Sequence, residues 1–258
     1  MTLTDAELER YSRQLVMAEW SGTAQRRLGE ARVMVLGVGA LGTPVATYLV
    51  GAGVGHVVLV DSDVVELSNL HRQTVHSTGD LGTAKVDSAA ARLRALNPEV
   101  YVEPLRLRVD VRTAPGLVAG ASLVVDCSDS FDTRYAVNDA CCAAGVPLVE
   151  AGVLGLGGLV LSIRPGRSAC YRCAFPTPPP AGAVPSCREA GVLGPMAGIV
   201  GSHQALEALK LVAEVGEPLL DRLLQIEGRD ATQTIVSVRR RPDCPACARV
   251  AAAAQSPA

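Results

Sequence analysis

Residues 33–46, VMVLGVGALGTPVA, constrain this chain more than any other stretch. The apolar run reads as a buried strand. Gly37, Gly39 and Gly42 follow it in GxGxxG spacing, ahead of a helical segment reaching about Gly53. HVVLVD (56–61) is a second buried strand, and it ends in an acid. Together these make a βαβ unit, whose strands must lie parallel with helices over the sheet. The glycines allow a tight turn and a close approach of backbone to anionic oxygens, which the helix N-terminus faces. Asp61 ends the second strand where an acid can accept hydrogen bonds from both ribose hydroxyls. A nicotinamide dinucleotide and ATP fit this arrangement equally well.

The remainder of the chain continues the alternation. Residues 4–28 read as a helix or two, capped at Thr4 or Asp5. A helix is expected over 84–96, a strand over 100–105, a strand over 121–129 ending in acids, and a helix over about 133–144. VPLVEAG and GGLVLSIRPG give two more strands, 191–213 a long helix, and 223–227 and 233–239 two late strands. The Pro-rich PTPPPAGAVPS (176–186) reads as a long exposed loop or lid. The expected fold is α/β, a Rossmann-like doubly wound sheet, mainly parallel and continuing into antiparallel strands. Ligands of such sheets bind beyond the carboxyl ends of the strands, near the switch point. The 37–42 glycines, Asp61 and the pair Asp126 and Asp129 all fall there.

Bulk properties exclude some partners. A net charge of −2 over 258 residues leaves no footprint for nucleic acid or an anionic membrane surface. The apolar segment 191–213 is interrupted by His203, Gln204, Glu207 and Lys210, which argues against a membrane span. The start, MTLTDAELERYSRQL, is polar where a secretory signal would be apolar, so a cytoplasmic protein is expected. There, eight cysteines suit ligands, nucleophiles or core fillers better than disulfides.

Charged groups cluster after Asp61. ELSNLHRQ brings Asn69, Arg72 and Gln73 together, and Lys85 opens the next helix. A guanidinium fork, an ammonium and amide donors suit a triphosphate, although Arg72 and Lys85 also read as ordinary solvated charges. VVDCSD offers Asp126 and Asp129 for the Mg²⁺ that accompanies ATP, or as turn caps. His71 reads as incidental to this loop, and His56, His76 and His203 as standing apart. CYRC (Cys170, Cys173) and CPAC (Cys244, Cys247) are two CxxC hooks suited to a structural, four-thiolate Zn²⁺ site, with redox chemistry as the alternative. Such a clamp would tie the C-terminal end to the distal edge of the sheet. Cys127, Cys141 and Cys142 read as packing residues.

The assembled motifs resemble the MoeB/ThiF/HesA adenylyltransferases, relatives of ubiquitin-activating enzyme. They are RYSRQ, GVGALG, VDSDVVELSNLHRQ, GTAKV, DCSDSFDTRYAVND, CYRC, PSCREAG and CPAC, and the resemblance spans residues 7–247. It implies that Asp61 holds the ribose of ATP, that Asn69, Arg72 and Lys85 bind phosphates, and that Asp129 positions Mg²⁺. Arg13 would reach the ATP held by the other subunit of a homodimer, and Cys187 would form a covalent link with the carrier in one branch of the family. Relatives usually have Asn where this chain has Ser130. The resemblance further implies a helical segment (1–30) serving the partner's site and one adenylation domain (31–250). That domain comprises a nucleotide-binding half (31–150) and a carrier-binding, zinc-holding half (151–250), with a disordered tail (251–258).

The implied reaction is attack by the C-terminal glycine carboxylate of a ubiquitin-like sulfur carrier ending in Gly-Gly on the α-phosphate of ATP. It yields an acyl-adenylate and pyrophosphate and prepares the carrier for thiocarboxylate formation. Since the chain ends soon after Cys247, sulfur is expected from a separate donor, such as a sulfurtransferase or cysteine desulfurase. Two other readings are a carrier-binding member without catalysis and a nicotinamide-dependent oxidoreductase.

Overall fold

The computed structural model describes residues 3–250 apart from 181, 184 and 186, and of 187 and 188 the backbone alone. The chain begins with α1 (Asp5–Arg10), α2 (Ser12–Leu15) and α3 (Gly22–Glu30), three short helices where one or two are expected. The capping box of Thr4 and Glu7 starts α1, and Ser21 caps α3. Helix α1 stops at Tyr11, whose ring turns inward and presses on Gly53.

Five parallel strands follow in the order expected of a doubly wound sheet. They are β1 (Arg32–Leu36), β2 (His56–Val60), β3 (Tyr101–Leu105), β4 (Leu123–Asp126) and β5 (Leu148–Leu154). Strands β6 (Gly157–Ile163), β7 (Arg222–Glu227) and β8 (Thr232–Ser237) add to β5 as antiparallel neighbours. The spatial order is β3-β2-β1-β4-β5-β6-β7-β8. The order in which strands are added reverses between β1 and β4, which places a crevice at their carboxyl ends.

The helices between strands are α4 (Gly42–Ala52), α5 (Lys85–Leu96), α6 (Ala114–Val118), α7 (Phe131–Ala144), α8 (Tyr171–Ala174), α9 (Cys187–Ala190) and α10 (Gly194–Ala213). The central strands are buried on both faces, so their sequences are continuous apolar runs rather than alternating ones. Val33, Val35, Val57, Leu59 and Val125 face one core, shared with α4, α5 and α10. Met34, Leu36, Val58, Val60 and Val124 face a second core, beneath α6 and α7.

Helix α10 crosses the first of these faces closely, because a Cβ at Gly201 would lie 2.9 Å from the Leu41 carbonyl oxygen. Its buried Gln204 donates from Nε2 to the Asp126 and Val149 carbonyls, tying together the ends of β4 and β5. The described residues of the Pro-rich segment, 176–180, 182, 183 and 185, are irregular and largely exposed. Among the described residues no helix is long and apolar enough to cross a membrane. The tail 251–258 lies outside the described residues.

Candidate nucleotide site and cysteine centre

The glycine turn joins β1 to α4 under steric constraint. Gly37 has φ +92°, and a Cβ there would lie 3.0 Å from the Cys127 carbonyl oxygen. A Cβ at Gly42 would lie 2.0 Å from the Gly37 carbonyl oxygen, so the first turn of α4 rests directly on the strand end. No side chain caps α4; the Thr43 N–H of its first turn donates to the Gly39 carbonyl, and its N-terminus follows the glycine turn at the crevice.

Two side chains grip the Val38 peptide inside this turn. The Val38 N–H donates to Asp61 Oδ2 at 2.8 Å, while Oδ1 accepts from the Asp63 N–H at 2.9 Å. On the other side, buried His76 lies with Nε2 3.4 Å from the Val38 carbonyl oxygen and Nδ1 2.9 Å from Ser88 Oγ. Burial lowers the imidazole's pKa, which favours the neutral ring. Donation from Nε2 and acceptance at Nδ1 satisfy it. His76 therefore does not stand apart, contrary to the sequence reading, but braces the turn. His71 lies with Nε2 2.8 Å from Arg72 Nη1.

The loop after Asp61 forms the next wall. Asn69 is buried and closes a short 3₁₀ turn, accepting the Glu66 N–H at Oδ1. Arg72 donates to the Ser68 carbonyl at 2.7 Å and lies where α10 begins, since a Cβ at Gly194 would be 3.5 Å from its Cα. Gln73 is 4% exposed and lies beside Gly39, yet its Oε1 has no hydrogen-bond donor, and neither does buried Thr43 Oγ1 in the first turn of α4. Buried polar atoms left without partners beside a glycine turn suit the added donors and acceptors of a bound nucleotide. Thr43 carries no motif signal in the sequence. Lys85 is held by Asp63 at 2.9 Å; the lysine side chain is 8% exposed and the carboxylate 64%.

The two acids after β4 have opposite environments. Asp129 is exposed on the turn past the strand. Asp126 is wholly buried among Ser128, Arg134 and Glu150, so it faces away from the crevice. Ser130 occupies the N-cap of α7, but its hydroxyl makes no capping bond.

Arg13 is not brought to this chain's own glycine turn. It lies exposed on α2, whose neighbours dock at the opposite end of α4: Tyr11 against Gly53, and Gln14 donating to Gln25 and to the Ala52 carbonyl. The backbone of Cys187 opens α9, while its side chain lies outside the described residues.

Cys170, Cys173, Cys244 and Cys247 converge although about seventy residues separate the hooks. Their sulfurs all lie within 4.8 Å of one another, with Cys170–Cys173 at 3.9 Å, Cys170–Cys244 at 3.5 Å and Cys173–Cys247 at 3.6 Å. Tetrahedral Zn–S bonds of about 2.3 Å require sulfurs about 3.8 Å apart, so this donor set fits zinc. The Arg241 N–H points at Cys173 Sγ at 3.4 Å, the kind of outer-shell donor that thiolates need. The clamp sits in the second core against α7, where the Tyr171 N–H donates to Asn138.

Comparison with known proteins agrees with this architecture. The model of the ThiF family matches residues 11–246. The chain is 47% identical over 247 residues to the SAMP-activating enzyme E1 of Haloferax volcanii, covering 96% of this chain and 91% of that protein. It is 46% identical over 252 residues to the sulfur carrier protein adenylyltransferase of Thermus thermophilus, covering 96% and 93%. Identity to the adenylyltransferase and sulfurtransferase MOCS3 of Sus scrofa is 48%, over 54% of that longer protein. The solved structure of E. coli MccB with ATP is similar at a TM-score of 0.83 and 25% identity, covering 92% of this chain and 74% of MccB.

Proposed function

The chain belongs to the ThiF family, and from that premise we propose that it is an ATP-dependent adenylyltransferase of a ubiquitin-like sulfur carrier protein. The observation carrying this reading is the crevice between β1 and β4, where a constrained glycine turn meets buried, unpartnered Gln73 and Thr43 atoms. Relatives named for carrier activation, similar over more than nine-tenths of both chains, select ATP over a nicotinamide cofactor.

In this reading the carrier's C-terminal carboxylate attacks the α-phosphate. A C-terminal carboxyl has a pKa of about 3.5 and is already ionised, so the site needs no general base. Its task is to bring one anion to another, by positioning and charge neutralisation. The turn and Asp61 hold the nucleoside end, and Asn69, Arg72, Gln73 and Lys85 hold the phosphates. Lys85 can turn to a phosphate because its present partner, Asp63, is largely solvated. Asp129, exposed at the crevice, would hold Mg²⁺, which when bound supplies further neutralisation of phosphate oxygens. Asp126 is too deeply buried to share that task.

The protein acts as a homodimer in which Arg13 of residues 1–30 serves the partner's site. Exposed Val16 and Met17, and exposed Leu193, Ile199 and Leu206 at the start and along one face of α10, support that interface. Residues 31–150 form the nucleotide half and 151–250 the carrier-binding half, closed by a structural zinc. Cys187, whose backbone opens α9, is the candidate for a covalent link with the carrier. Sulfur comes from a separate donor protein, and the reaction takes place in the cytoplasm.

The test is ATP–pyrophosphate exchange with and without small carriers ending in Gly-Gly. Exchange should require the carrier. Carrier-independent exchange, or none with any such carrier, overturns the reading, and carrier binding without exchange would mark a non-catalytic member.

A further inference from the structure

A second buried ionic cluster lies behind the crevice, on the α7 side of the sheet. Strands β4 and β5 pair Asp126 with Glu150 in register, and both side chains are wholly buried. The cation facing them is Arg134 of α7, with Nε 3.5 Å from Glu150 Oε1. Two carboxylates against one guanidinium would leave a net buried negative charge, which a dry interior does not tolerate. The hydrogen bonding is also incomplete. Asp126 Oδ2 and both Glu150 oxygens lack any donor, although the two carboxyl groups lie within hydrogen-bond reach of each other.

One proton resolves both deficits. Burial raises the Glu150 pKa well above the ordinary carboxyl range, and the Asp126 charge raises it further against the opposing pull of Arg134. Glu150 is then a neutral acid donating to Asp126, whose charge Arg134 balances. The other titratable groups around the cluster are Tyr171 from α8, Cys127 after β4 and Cys141 on α7, all pushed by burial away from ionisation near neutral pH.

The cluster also touches the turn that bears Asp129. Ser128 is held on both sides of its Cα: its N–H donates to Asp126 Oδ1 at 2.9 Å, and its carbonyl accepts from Arg134 Nη2 at 2.8 Å. Arg134 has little freedom to move elsewhere. Its guanidinium lies over the Phe131 ring, and a Cβ at Gly152 would be 2.8 Å from Nη1.

We propose that Asp126, Glu150 and Arg134 are positioning residues: the acid–carboxylate hydrogen bond between Glu150 and Asp126 leaves the Arg134 guanidinium free to hold the Ser128 carbonyl, and this sets the turn carrying Asp129. The consequence for Mg²⁺ rests on the function proposed above; the proton and the turn do not.

Glu150→Gln and Glu150→Leu separate the possibilities in the full chain. Gln keeps a neutral donor for Asp126, whereas Leu removes it and draws the guanidinium toward the Asp126 charge. Hydrogen exchange of the 127–131 amides should quicken at least fivefold in Glu150→Leu and stay within twofold of the parent in Glu150→Gln. In carrier-dependent exchange, the Mg²⁺ concentration for half-maximal rate should rise at least fivefold in the Leu variant alone, with the carrier KM unchanged. Unfolding temperature reports the proton. Because the folded protein holds it more tightly than the unfolded chain, stability falls as pH rises above the unfolded carboxyl pKa. The Tm of Glu150→Gln relative to the parent should therefore increase from pH 5 to pH 8.

Equal damage in the Gln and Leu variants, or a Tm difference that does not grow with pH, overturns the shared proton. Unchanged amide exchange in a folded Leu variant overturns the positioning role. Absence of nucleotide exchange in the parent would count against the proposed function only, because amide exchange and Tm still decide this inference.

Discussion

Mixing two inactive variants tests where Arg13 acts. Arg13 lies near Gly53, at the far end of α4 from the glycine turn, and α4 has 11 residues. At 1.5 Å per residue the helix separates them by about 16 Å, beyond the reach of one arginine side chain. In the proposed homodimer Arg13 accordingly serves the partner's nucleotide site. Arg13→Ala and Asp129→Ala homodimers should each be inactive. After free subunit exchange at equal amounts, about half the dimers are mixed, and each mixed dimer has one site with both defects and one with neither. Exchange activity should recover to about a quarter of the parent value. If Arg13 acted within its own chain, every site would carry a defect and nothing would return. The assay is ATP–pyrophosphate exchange with saturating carrier, with heterodimer formation followed by differently tagged subunits. No recovery in a sample shown to contain mixed dimers refutes the geometry.

Other outcomes follow from the same contacts. Gly42→Ala should lower stability by more than about 2 kcal/mol in a denaturant titration, because the new Cβ would meet the Gly37 carbonyl oxygen at 2.0 Å. Cys244→Ser should remove stoichiometric zinc, measured by elemental analysis, and lower Tm sharply, because metal binding is coupled to folding of the C-terminal segment. His76→Gln retains a donor for Val38, so its ATP KM should stay within a few-fold of the parent, whereas His76→Ala should raise it about tenfold and lower stability at pH 8 by about 1–3 kcal/mol. Burial lowers the folded-state pKa of His76, so its contribution is present above about pH 6.5 and is lost on acidification through the depressed value. Parent Tm should accordingly fall faster than that of His76→Gln below that pH.

The parallel half of the sheet was legible because both-sided burial writes itself as apolar runs, and the glycine spacing fixed the first βαβ unit. The four zinc-type cysteines were legible as two hooks, but not their seat against α7, since seventy intervening residues specify no direction. His76 reads as standing apart in sequence because its partners are a backbone carbonyl and Ser88, and neither has a motif. The lone Glu150 in an apolar strand was a visible irregularity, yet its partners come from β4 and α7 and only the strand register joins them. Lys85 reads as a free phosphate ligand in sequence, whereas folding supplies it with Asp63.

The β1–β4 neighbourhood has a consequence for assembly. The two rims of the crevice meet at Gly37 and Cys127, 90 positions apart in the chain. Neither rim can grasp a ligand until that distant pairing is made, so a nucleotide seated there fastens the two stretches and raises the melting point with the logarithm of its concentration above Kd. A fragment ending before residue 120 would keep every glycine of the motif and have nothing to close it against.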